Sequence, residues 1–251
     1  MDLQNTQQYK VSVQNLTKRF GDLLVLDDIN FNIKKGELVA IVGPTGCGKT
    51  TFLNCLTKLY TPSDGDIYID GKVADPKKHN ISFVFQEPTC LPWRTVWDNV
   101  AYALEVKKKP KEEIKQKVEE MLKLVGLSDM AHLYPNQISA SMVQRLTVAR
   151  AFSVDPDLLL MDEPYGQLDI KLRFYLEDEL VRLWKTLGNT ILFVTHNIEE
   201  AVYIAERILV LSPKPTTIKE NVLVDLPRPR NPVDPEFIEL RKYVTDLIKW
   251  W

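Results

Sequence analysis

The chain has 251 residues, 45% of them apolar and 26% charged, which is enough apolar material for a full globular core and excludes a disordered chain. Its formal net charge of −2 gives no electrostatic case for nucleic acid or for an anionic membrane surface as a partner. Three cysteines, Cys47, Cys55 and Cys90, have neither a paired nor a metal-like spacing, which argues against a disulfide or zinc framework and fits a reducing compartment.

In chain order, "YKVSVQNLTKRF" and "LLVLDDINFNI" alternate apolar and polar residues around Gly21-Asp22, and this predicts an antiparallel sheet. After Lys34-Lys35-Gly36 comes "ELVAIVG", a continuous apolar run of the kind buried on both faces in a parallel sheet. The helical pattern "KTTFLNCLTKL" follows. From about Thr95 to Phe152 the pattern is mostly helical and interrupts the strand–helix alternation, so an inserted helical lobe is expected. Within it, "VKKKPK" (Val106 to Lys111) leads into "EEIKQKVEE", which reads as a solvated helix face with no functional role. At "ISASMVQR" a helix starts on the N-cap Ser139, with Met142, Leu146 and Ala149 at helical spacing behind it.

Three more buried strands, "DLLLMDE", "TILFVTH" and "RILVLS", then alternate with helices such as "IKLRFYLEDELVRLWKTLG", which closes at Gly188. The tail "DPEFIELRKYVTDLIKWW" sets Phe237, Leu240, Val244, Leu247 and Trp251 on one helical stripe, expected to dock on the core rather than anchor in a membrane. No basic region with an apolar core opens the chain and no apolar run approaches a membrane span, so neither a secretory leader nor a transmembrane segment is expected. Any membrane enters through a partner.

The chemistry starts at "GPTGCGKT", Gly43 to Thr50, directly after a buried strand and directly before a helix. Gly43, Gly46 and Gly48 let the backbone wrap around phosphate oxygens while the helix dipole points at the same place. Lys49 is placed to reach the β and γ phosphates and Thr50 to hold Mg²⁺; Cys47 reads as a small side chain in the loop, not a catalytic thiol. The expected ATP-binding set is the loop with its flanks: Gly43, Pro44, Thr45, Gly46, Cys47, Gly48, Lys49, Thr50 and Thr51. Asp162 and Glu163 leave a buried strand at its carboxyl end, the edge where parallel sheets bind ligands. Asp162 suits the Mg²⁺ shell, and Glu163 suits the orientation and deprotonation of an attacking water. His196 ends the next buried strand on that edge and joins the expected site, whereas His79 and His132 lack such a context and read as structural.

Together these motifs resemble the nucleotide-binding subunit of an ABC transporter, over essentially the whole chain. The resemblance implies an α/β P-loop fold with an antiparallel β subdomain and an inserted helical subdomain: a core over about 1–94 and 153–230, helices over about 95–152 and a terminal helix over about 231–251. It also implies roles. Gln86 in "VFQEP" holds the position of a glutamine that ligates Mg²⁺ together with Thr50 and Asp162. Phe20 stacks on adenine, as a flat apolar ring can. Asp169 in "YGQLD" is the D-loop aspartate. Glu163, His196, Gln86 and Lys49 make the catalytic set, with ATP and Mg²⁺ as cofactors.

In this family two such subunits sandwich two ATP molecules. Ser139, Ala140, Ser141 and Met142 would therefore face the ATP of a partner ATPase subunit. Family members usually read Leu-Ser-Gly-Gly there, and Ala140 and Ser141 replace both glycines just where backbone must approach phosphate. A heterodimer is therefore favoured over a homodimer. Integral membrane permease subunits, and indirectly a solute-binding protein, are the other implied partners, on the cytoplasmic side of the membrane. "EPTCLPWRTVWDNV" and the tail from "VLSPKP" are similar to importers of nitrate, sulfonate, taurine and related anions, and Leu91, Pro92, Trp93, Val96 and Trp97 are expected to line a groove for a permease helix. The alternative, a soluble ABC-type ATPase acting on nucleic acid or translation, is disfavoured because the stretch from Gln86 to Ser139 is too short for a long coiled coil and no basic stripe exists.

Overall fold

A computed structural model describes residues 9–166 and 168–248. In chain order its elements are β1 (Val11–Phe20), β2 (Leu23–Ile33), β3 (Leu38–Val42), α1 (Lys49–Leu56), β4 (Asp64–Ile69), β5 (Lys72–Val73) and β6 (Ile81–Val84). The helices α2 (Val96–Val106), α3 (Lys111–Leu124) and α4 (Ala140–Phe152) follow, then β7 (Leu158–Asp162) and α5 (Ile170–Leu187). The chain ends with β8 (Thr190–Val194), α6 (Ile198–Ile204), β9 (Arg207–Leu211), β10 (Ile218–Leu223) and α7 (Pro235–Ile248). They fall into two compact units: residues 9–79 with 190–248, and residues 80–189.

The first unit carries two sheets. An antiparallel sheet in the order β2-β1-β4-β5 forms from the alternating N-terminal runs, with Val11 opposite Ile33 on one side and Ile69 on the other. Val11, Val13, Leu16, Ile29, Ile33, Ile67 and Ile69 are buried, as a period of two with one covered face requires. Gly65 allows two strands to close on each other: a β-carbon there would lie 2.2 Å from the Asn15 carbonyl oxygen. In the second sheet β3 lies between β9 and β8, parallel to both, and β10 is antiparallel on the outer side of β9. Every residue of β3 and β8 is buried, which is why both read as unbroken apolar runs. α7 lies against α6, β9 and β10. Phe237 and Val244 are buried, Leu240 and Leu247 are half-buried, and Trp251, the last residue of the expected stripe, is outside the described residues.

In the second unit β6 and β7 pair in parallel, Ile81 with Leu158 through Val84 with Met161. α2, α3 and α4 pack on one another, and α4 also touches β6. α4 buries Gln144, Leu146, Thr147, Val148, Ala149, Ala151 and Phe152, so more than one face is covered and the expected Met142–Leu146–Ala149 stripe is only part of its contact surface. α5 starts at the N-cap Asp169, whose carboxylate accepts from Leu172 N at 3.0 Å, and stops at Gly188, whose φ of 69° is the left-handed conformation that ends helices. Among the described residues no helix is long and apolar enough to cross a membrane.

Candidate functional site

The loop between β3 and α1 is the one expected to cradle phosphate. The N-cap of α1 is Gly48 at φ 119°, and no side chain caps this helix end, the kind of end that suits an anion. Lys49 is 6% exposed, and its Nζ donates to the carbonyls of Gly43 at 2.9 Å and Pro44 at 3.2 Å, which sets its charge inside the loop. The Cys47 side chain is buried, and burial pushes its thiol up against the smaller opposing pull of the Lys49 ammonium, so the loop presents Cys47 backbone and not a thiolate. The Thr216 hydroxyl, from the β9–β10 connection, donates to the Cys47 carbonyl and fixes the loop from behind. Thr216 is in turn stitched to β2, its N–H donating to Val25 O at 2.9 Å and its carbonyl accepting from Asp27 N at 2.9 Å.

Register brings His196 to the same edge of the first unit. Ile41 of β3 pairs with Val194 of β8, and Thr195 N donates to Ile41 O at 3.1 Å, so the Gly43–Thr50 loop and the exposed His196 both leave carboxyl ends of neighbouring parallel strands. Phe20, the last residue of β1, is 42% exposed. The Tyr60 ring meets it edge-on at 5.3 Å and the Lys18 ammonium lies 4.8 Å from its centroid, contacts that favour this placement of the ring.

The second unit gathers the other predicted residues on its own edge. Val84 pairs with Met161, so Gln86, exposed two residues beyond β6, and the Asp162-Glu163 pair leave adjacent parallel strands at their carboxyl ends. Asp162 is buried. Glu163 has φ 45°, a left-handed backbone that glutamate adopts only under constraint and that sharply redirects the chain at the strand end. Gln144, buried on α4, donates to the Pro164 carbonyl at 2.7 Å and ties α4 to this turn. Ser139 caps α4, its hydroxyl accepting from Met142 N at 3.3 Å and lying 3.1 Å from the Ser141 hydroxyl. Asp169 is engaged as the cap of α5; Gln167 of the same segment lies outside the described residues.

Three contributors escaped sequence reading, Thr216, Gln144 and Asn99, as did the left-handed backbone of the predicted Glu163. Asn99, fully buried at the start of α2, receives Leu91 N at 2.8 Å and donates to the carbonyls of Leu91, Arg94 and Thr95 at 3.1, 3.0 and 2.9 Å. It folds the 91–95 loop so that Trp93 stands 71% exposed. Val96, expected beside Trp93 in a groove, is instead fully buried, a core residue of α2.

Residues 26–166 match the ABC transporter family. An uncharacterized ABC transporter ATP-binding protein of Methanocaldococcus jannaschii is 41% identical over 244 residues, which cover 96% of this chain and 91% of the relative. The aliphatic sulfonates import ATP-binding protein SsuB of Bacillus cereus is 40% identical over 239 residues, 93% of this chain and 94% of that one. Among solved structures, cbiO1 from Clostridium perfringens, part of the ABC transporter complex cbiONQ, superposes with a TM-score of 0.79 at 27% identity, covering 86% of this chain and 89% of that one. A dimeric ATP-binding cassette in a post-hydrolysis state bound to ADP and phosphate superposes with a TM-score of 0.74 at 33% identity, covering 86% and 99%. The fold is the α/β P-loop nucleoside-triphosphatase fold, and the chain belongs to the ABC transporter family, as an ATP-binding subunit whose ATP hydrolysis is coupled to transport.

Proposed function

We propose that the chain powers the import of a small anion of the sulfonate class, as one of two unlike ATPase subunits on the cytoplasmic side of permease subunits that a solute-binding protein feeds. The observation that carries this reading is its 40% identity, over 93% of the chain, to an aliphatic sulfonates import ATP-binding protein. In this reading the ATP phosphates lie on the Gly43–Thr51 segment and the uncapped end of α1, and adenine stacks on Phe20. The oxygens assigned to Mg²⁺, the Thr50 hydroxyl, the Gln86 amide and the buried Asp162 carboxylate, are hard donors of the kind the ion takes. These residues would hold Mg²⁺, which would supply neutralisation of phosphate charge.

Glu163 accepts the proton of a water as its oxygen bonds to the γ phosphorus and the bond to the bridging oxygen breaks, releasing ADP. Lys49 holds the β and γ oxygens, and His196 donates to the γ-phosphate. Ser139 to Met142 serve the partner's ATP, and Asp169 lies in the dimer contact. The test is uptake by the complete transporter in proteoliposomes with its solute-binding protein. ATP-dependent entry of an alkanesulfonate, stopped by Glu163→Gln, supports the reading. A transporter that moves no sulfonate, taurine, nitrate or bicarbonate, but does move a sugar or a cation, overturns it.

A further inference from the structure

α6 is only seven residues long, too short to hold itself, and it starts directly after His196 and Asn197. Its N-terminal end is capped locally: Asn197 Oδ1 accepts from Glu199 N at 3.0 Å and Glu200 N at 3.4 Å, and the Thr195 hydroxyl accepts from Asn197 N at 3.0 Å while bonding the Glu200 carboxylate. The helix also packs on β3 with Ala201, Val202 and Ile204 buried, and the side-chain hydrogen bonds to its last turn come from the C-terminal segment of the chain. At its C-terminal end Arg228 donates to the carbonyls of Tyr203, at 3.2 Å, and Ile204. Arg230, itself buried, donates to the carbonyls of Val202 at 2.8 Å, Tyr203 at 3.1 Å and Ala205. Its other bonds, to Val224 O at 3.1 Å and Leu226 O at 3.3 Å, tie that grip to the chain entering the tail.

Two guanidiniums thus sit on the carbonyl end of one short helix, where positive charge complements the dipole. They do so against a desolvation penalty that lowers both, Arg230 to about 10 with the Arg228 charge lowering it further, while the Glu206 carboxylate pulls both back up. At the other end of α6 the Arg241 guanidinium of α7 is bonded to the Glu199 carboxylate, one turn from His196.

We propose that Arg228, Arg230 and Arg241 are positioning residues for hydrolysis: the C-terminal segment clamps α6 at both ends and so sets the direction of His196 toward the γ-phosphate. The proposal rests on the reading of His196 as a γ-phosphate contact. Arg241 is the residue to change, since it and Glu199 are 39% and 33% exposed and their loss leaves the core intact. A pair this exposed is worth about 1 kcal/mol at most, about fivefold in rate at 1.36 kcal/mol per tenfold.

The experiment uses the full chain. In Arg241→Ala the imidazole NMR signal of His196, distinguished from those of His79 and His132 by His→Ala variants, should shift or broaden while the His79 signal stays in place. The ATPase kcat should fall about two- to fivefold with KM for ATP unchanged. The charge-swapped double variant Glu199→Arg/Arg241→Glu should restore both. An unmoved His196 signal, or a loss divided equally between kcat and KM, overturns the clamp. Failure of the underlying reading looks different: His196→Ala then hydrolyses ATP at the wild-type rate, although Arg241→Ala still moves the imidazole signal.

Discussion

Glu163 is held in the left-handed region at φ 45°, where an L side chain is disfavoured by roughly 1–2 kcal/mol. Strain persists at a position when the surroundings over-determine it, and a strand end next to a buried aspartate is such a place. Two substitutions separate the chemistry from the strain. Glu163→Gln keeps the side chain's size and removes its basicity, so ATP binding should persist while hydrolysis falls by roughly 10²-fold or more. Glu163→Gly removes both the base and the backbone penalty. Its unfolding free energy should rise by about 0.5–1 kcal/mol, glycine's extra freedom in the unfolded chain offsetting the remainder, while hydrolysis falls as far as in the glutamine variant. A glycine variant less stable than wild type would remove strain from the account of this turn. The thiols give a check of another kind. Burial raises Cys47, and raises Cys55 to about 11, so near pH 8 both stay protonated and alkylate slowly, and half-exposed Cys90 should be labelled first in a timed iodoacetamide digest.

The 91–95 loop and α2 make a unit in which one buried amide decides what a tryptophan does. Asn99 satisfies one N–H and three carbonyls of that loop, so Asn99→Ala should lower stability by about 1–3 kcal/mol and release Trp93 from its presented position. Trp93→Ala should change stability by less than about 0.5 kcal/mol, because the side chain is largely exposed, yet weaken co-purification with the permease subunits. If Trp93→Ala melts early and still binds the permease, the ring belongs to the fold. The strands, the phosphate loop and the carboxylate pair were legible because period-two runs, continuous apolar runs and fixed glycine–lysine–threonine spacing are local signals. Thr216 was not, since its partner Cys47 is 169 residues away and nothing in the spacing marks the contact. Gln144 and Asn99 escaped for a related reason. Each is a polar residue in a helix whose apolar pattern is complete without it, and only the carbonyls brought to it by folding reveal its use. Val96 was misassigned to a groove because an apolar residue beside an exposed tryptophan looks the same in sequence whether it faces inward or outward.

Solved relatives of this fold include a dimeric cassette, and the proposed role of the signature segment, Ser139 to Met142, at another subunit's nucleotide makes subunit composition a question of chemistry. Ala140 and Ser141 have ordinary right-handed backbone, so α4 does not need glycine to fold; what glycine would provide is close approach of the backbone to phosphate. One lost N–H bond to a charged oxygen is worth about 1.5–3 kcal/mol, roughly 10- to 150-fold, so two intruding β-carbons are enough to silence a composite site. Ser141 works in the opposite direction, since its hydroxyl sits 3.1 Å from that of the capping Ser139 and adds a donor beside it. The sequence keeps Lys49, Gln86, Asp162, Glu163 and His196, the residues the proposed function assigns to this chain's own nucleotide, so in that proposal any defect falls on the nucleotide opposite, and the proposed unlike partner supplies an intact signature to the ATP on Lys49. The decisive comparison is the ATPase rate of the native complex, its subunits identified, with and without Ala140→Gly/Ser141→Gly. In a heterodimer whose second site is already silent, the double change should leave the rate within about twofold, whereas in a homodimer it should raise the rate by up to the roughly 10- to 150-fold that one recovered contact is worth. A homodimer that hydrolyses briskly and does not respond to the two glycines would show that backbone approach at Ala140 and Ser141 is not impaired, and would remove the reason for expecting an unlike partner.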